Sequence, residues 1–93
     1  MVIYKIRAWV NERTTKGGLS KKHPYSFETV VVGNLKTAKQ IYAEQKDELE
    51  TWSMYSKYSG KVQLCIPHRF DNGTLAYWPT DGNYIDQWSF NMD

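Results

Sequence analysis

Ninety-three residues, 41% hydrophobic and 24% charged, make one domain spanning 1–93 and exclude both a disordered chain and a second core. The one cysteine, Cys65, excludes an internal disulfide, so the fold rests on packing. The net charge of +2 conceals a division: residues 1–40 carry eight Lys or Arg against Glu12 and Glu28, and residues 41–93 carry four against eight acids. Such a split predicts a basic face and an acidic face.

Val2–Asn11 alternates, with Val2, Tyr4, Ile6, Ala8 and Val10 on one side and Lys5, Arg7 and Asn11 on the other, the pattern of a half-buried strand. The early charge at Lys5 leaves no apolar run for a signal peptide or a membrane span, which places the protein in the cytoplasm as an expectation. Glu12–Pro24 is polar, with Gly17-Gly18 and the cations Arg13, Lys16, Lys21 and Lys22, and reads as a long hairpin loop. Tyr25–Val32 is β-branched and aromatic, a second strand closed by Gly33-Asn34. Asn34 suits an N-cap. From it Leu35, Ala38, Ile41, Tyr42, Gln45, Leu49 and Trp52 recur at steps of three and four, an apolar helix stripe broken only by Gln45.

The outer helix face carries Lys36, Lys39, Gln40, Glu44, Asp47 and Glu48. Lys36 lies near the positive end of the helix dipole and Glu50 near the negative end, the reverse of what local stability favours. A face arranged this way is selected for something other than helix stability. The helix ends between Trp52 and Tyr58. Period two returns at Lys61, with Val62, Leu64 and Ile66 against Gln63 and Cys65, and Pro67 marks an edge or bulge. Asp71-Asn72-Gly73 is a hairpin turn, Thr74–Trp78 a strand, residues 79–83 a second turn and Tyr84–Phe90 the last strand. The order is ββαβββ, an α+β fold: one antiparallel sheet of about five strands with one amphipathic helix on one face. The other face stays partly open, with Arg7, Trp9 or Trp88 on it. Four Trp, seven Tyr and three Phe exceed what a thin core hides, so some rings reach the surface as binding anchors.

No arrangement points to catalysis, and no metal or cofactor is expected. Cys65 and His68 are three apart in a strand and face opposite ways, which suits neither nucleophile and base nor, with His23, a metal set. No phosphate loop or nucleophile elbow occurs. Asn72-Gly73-Thr74 fits a glycosylation sequon, but is more simply a turn. Lys5, Arg7, Arg13, Lys16, Lys21, Lys22 and Arg69, with rings nearby, are the residue types that pair phosphates and stack bases, although no RRM, KH or zinc-finger pattern is present.

Asn34-Leu35-Lys36-Thr37-Ala38-Lys39-Gln40-Ile41 at the helix start, Asn72-Gly73-Thr74-Leu75-Ala76-Tyr77, Asp81-Gly82 and Trp88 give the chain a resemblance to small phage and mobile-element anti-CRISPR proteins, most closely the ninth family of type I-F inhibitors. The similarity covers about residues 34–42 and 61–88. It implies a protein of the host cytoplasm that binds the backbone subunits of a CRISPR surveillance complex through the helix and blocks pairing of guide and target. It also implies that the bound complex can acquire non-specific affinity for DNA; contact with DNA or RNA is a further expectation for the protein. Lys39 matches a contact position of that family, whereas Gln40 stands where the family has Arg and Glu44 where it has Lys. The partner-binding residues expected on this reading are Lys36, Lys39, Gln40, Arg7, Arg13, Lys16, Lys21, Lys22 and Arg69. The alternative is a small nucleic-acid-binding module using the basic loop and exposed aromatics, and a third is a homo-oligomer, such as a homodimer, packed through the open sheet face.

Overall fold

A computed structural model describes residues 2–13, 24–67, 71–74 and 83–91, with side chains from 85 onward in the last segment. Its elements are β1 (Ile3–Glu12), β2 (Tyr25–Val32), α1 (Leu35–Trp52), β3 (Tyr58–Ile66) and β4 (Asn83–Phe90). They form one antiparallel sheet in the order β2-β1-β3-β4 with the helix on one face. The class is α+β, as the periodicities predict. Four strands appear among the described residues rather than five. The expected strand Thr74–Trp78 falls almost wholly outside those residues, as do His23, His68 and the cations Lys16, Lys21, Lys22 and Arg69.

Alternation in β1 decides which side is the core. Ile6, Ala8 and Val10 are buried with Val62 and Leu64 of β3, Phe90 of β4, and Ala38, Tyr42 and Leu49 of the helix. Gly60 lets this layer close. A Cβ there would lie 2.6 Å from the Trp9 carbonyl oxygen and 2.7 Å from Phe90 Cε1, so no larger residue fits without displacing the neighbouring strand. The helix starts as Asn34 predicts, its Oδ1 accepting from the Thr37 amide at 3.0 Å. Gln45 does not interrupt the buried stripe, because its Oε1 accepts from the Tyr25 hydroxyl.

Three expectations need correcting. β3 begins at Tyr58, three residues before the period-two signal, because Tyr58 and Ser59 already pair with Glu12 and Asn11. Trp88 lies on the helix side of the sheet, opposite Val62 and packed on Phe90 at 5.8 Å between ring centroids, rather than on the open face. Leu35, the first residue of the predicted stripe, is 37% exposed, since the helix enters the core only at Ala38. Arg7 and Trp9 do occupy the helix-free face. Most described rings pack on the core; Tyr55 projects, 56% exposed.

Candidate functional site

The helix presents its outer face as the sequence predicts. Lys36, Lys39, Gln40, Glu44, Asp47, Glu48 and Glu50 are all exposed. No acid stands in the first turn and no base in the last, so the side-chain charges add to the helix dipole instead of offsetting it. The amino-terminal end of this face is positive twice over, from Lys36, Lys39 and the unpaired backbone amides. The carboxy-terminal end is negative twice over. Each such charge costs the isolated helix about 0.3–1 kcal/mol.

Between the amino-terminal half of α1 and β4 lies a cleft of about 290 Å³ lined by Lys39, Tyr42, Leu64, Ile85 and Asp86. Its construction depends on a β-bulge. β3 and β4 pair in one register from Gly60–Phe90 to Leu64–Asp86, then shift so that Cys65 faces Tyr84. Ile85 is the extra residue. Asp86, opposite Leu64, faces the helix side by regular alternation with Trp88 and Phe90; Ile85 would point to the other face of a regular strand, and the bulge lets it line the cleft as well. Tyr42, nearly buried, donates its hydroxyl to the Asp86 carboxylate, and its pKa is pushed up to about 12, first by burial and then by the charge and hydrogen bond of Asp86. The phenol therefore stays protonated at neutral pH and serves as a fixed donor. A cleft of this size sits just below the ~300–1,000 Å³ of small-molecule sites, enough for one side chain of a partner but not for a nucleotide cofactor.

On the opposite face of the sheet, Lys5 pairs with Glu28 at 2.8 Å while only 5% exposed, and the Arg7 guanidinium lies over the Trp9 ring at 5.1 Å, within cation–π range. Lys61, across from Trp9, adds a further positive charge. Cys65 is buried beside Lys5, and burial raises its thiol pKa with the lysine partly opposing that; a protonated, buried thiol is a poor nucleophile. Arg13 is committed to the chain itself: its backbone amide donates to the Lys57 carbonyl at 2.6 Å and its Nη1 to that of Ser56 at 3.4 Å.

The predicted residues thus divide. Lys36, Lys39 and Gln40 share the outer helix face. Arg7 is on the far side of the sheet, and Arg13 fastens the end of β1 to the turn after the helix. A single flat footprint joining Lys39 to Arg7 does not exist. Tyr42, Ile85 and Asp86 were not anticipated as site residues: Tyr42 reads as part of the buried helix stripe, Asp86 comes to the cleft through its register opposite Leu64, and Ile85 reaches it only through the bulge. Among the described residues, no three His, Cys, Asp or Glu side chains converge as metal ligands, and no helix is long and apolar enough to cross a membrane. Comparison with protein-family models, curated proteins and solved structures found no match for the chain.

Proposed function

We propose that the protein is a non-catalytic binder that docks on a host macromolecular complex through the outer face of α1, with a partner side chain entering the Lys39–Asp86 cleft. The observation that carries this reading is the charge order along the helix, which opposes local stability at both ends. The acidic half, with Glu44, Asp47, Glu48 and Glu50, complements a basic groove of the kind that holds nucleic acid. Lys36 and Lys39 complement an acidic or phosphate-bearing rim. Together they steer and orient a docking partner. Occupying such a groove excludes the nucleic acid that belongs there.

The sequence resemblance to type I-F anti-CRISPR proteins makes a CRISPR surveillance complex the partner to test first. Sizing chromatography with complexes of several types, at moderate salt, gives co-elution with one of them, and Lys36→Glu with Lys39→Glu abolishes it. Absence of co-elution with every type refutes the CRISPR assignment. Co-elution that survives the double substitution refutes the helix face.

A second reading is favoured by the Arg7–Trp9 pair: direct contact of the helix-free sheet face with single-stranded nucleic acid, the cation meeting phosphate and the ring stacking a base. Its mark is salt-dependent binding to naked DNA or RNA that Arg7→Glu removes and the helix substitutions leave alone. Because the two surfaces lie on opposite sides of the sheet, these variants separate the readings cleanly.

A further inference from the structure

β2 is, among the described residues, an edge strand with little protection. Among the described residues it borders the sheet on one side, and it pairs with β1 along its whole length, Val32 with Ile3 through Tyr25 with Val10, without a register shift. Natural edge strands are usually blunted by lysine, proline, a bulge or a covering element. Tyr25–Val32 contains no Lys, Arg or Pro, and its one charge, Glu28, is taken up by Lys5. The helix lies over β1 and β3 and barely reaches β2. Tyr25, Phe27, Thr29 and Val31 are consequently only half-buried on the helix side, and Val30 and Val32 are 44% and 53% exposed on the other.

We propose that β2 pairs antiparallel with β2 of a second copy of this chain, continuing the sheet across a two-fold axis perpendicular to it. The strand is self-complementary in the register centred near its middle, on Thr29. Paired residues must lie on the same face, since a one-residue slip would set each copy's core side against the other's open side. Centring the axis on Glu28 would oppose two carboxylates. Centring it on Thr29 places Thr29 against Thr29 and Phe27 against Val31 on the helix side, and Glu28 against Val30 and Ser26 against Val32 on the other. Threonine pairs and aromatic–β-branched pairs are favourable cross-strand neighbours. With the axis normal to the sheet, α1 of both copies lies on the same side, and the outer helix faces remain uncovered.

The contact is modest. Eight residues rising ~3.3 Å each along a slab ~10 Å thick present an edge of about 260 Å², a third of the ~800 Å² per partner of a standard interface. Phe27, Val31, Val30 and Val32 enlarge it, and the association belongs to the weak, reversible regime, with a dissociation constant of about 10 μM–1 mM.

Sedimentation equilibrium from about 10 μM to 1 mM, the range set by that constant, together with amide spectra over the same range, tests the proposal. The expected result is a rise in mass toward the dimer with shift changes concentrated in residues 26–32. Val30→Glu, at an exposed position, faces Glu28 of the second copy at two symmetric places and weakens association about tenfold. Val30→Lys faces the same carboxylate and associates at least as well as the parent. A monomer throughout that range, shift changes elsewhere, or equal weakening by the two variants overturns it.

Discussion

Lys36→Glu tests whether the helix face has traded stability for binding. Lys36 is two residues past the Asn34 cap, in a first turn without any acid. Replacing it removes an unfavourable charge–dipole interaction and adds a favourable one. At an exposed position each contributes near the low end of ~0.3–1 kcal/mol, for a combined gain of about 0.6–1 kcal/mol. The new carboxylate also stands three residues before Lys39, a pairing distance that adds about 0.2–0.5 kcal/mol. For a domain of this size 1 kcal/mol moves the melting temperature by about 4–8 °C, so Lys36→Glu melts several degrees higher by circular dichroism at low ionic strength. At 1 M salt, where the Debye length is about 3 Å, most of the gain disappears. The same variant binds its partner more weakly. An unchanged or lowered melting temperature at low salt refutes the electrostatic account, and a stabilised variant that still binds fully refutes the functional one.

Gly60→Ala ordinarily would stabilise by limiting the unfolded chain, by about 0.4–1 kcal/mol. Here the added carbon meets the Trp9 carbonyl and the Phe90 ring below 3 Å, and urea denaturation instead shows a loss of about 1–3 kcal/mol. Tyr42 keeps its proton to about pH 12 in the fold against an ordinary 10.0. Its contribution is complete below pH 10, and stability declines from there toward 12 as the unfolded chain ionises first. Tyr42→Phe flattens that decline in denaturation curves taken across the window, leaving a residual slope from Tyr25, whose pKa burial also raises. Cys65, buried and with its thiol pKa raised by that burial, reacts with a thiol reagent at pH 8 only on the timescale of unfolding; prompt native-state labelling would contradict its position.

The parts of the fold that were legible in the sequence are those set by short-range rules. The Asn34 cap, the Ala38–Leu49 stripe and the alternation of β1 each depend on neighbours within a turn or a strand. What was not legible depends on pairing between distant segments. The face occupied by Trp88 is fixed by its register against Val62, and no local pattern reports it. Tyr58 joins β3 because Glu12 pairs with it across the sheet, against the appearance of an aromatic run trailing from the helix. The cleft escaped for the same reason: the extra residue in β4 exists only relative to β3. The alternation around Ile85 and Asp86 looks regular until the partner strand skips one.

The division of charge by sequence also changes meaning once folded. Among the described residues, the basic first forty and the acidic remainder do not map onto two faces. The helix takes Lys36 and Lys39 from one half and Glu44, Asp47, Glu48 and Glu50 from the other, so its outer surface is net acidic with a basic end. The described sheet face holds Lys5, Arg7 and Lys61 against Glu28 alone, and is net basic. A nucleic acid approaching the molecule is therefore drawn to the sheet and repelled by most of the helix, whereas a basic protein groove meets the reverse. The helix surface resembles the ligand such a groove expects more than it resembles a nucleic-acid-binding surface. For that reason occlusion of a groove by α1 is the stronger of the two readings, and the salt dependence of each should be measured with the opposite face disabled.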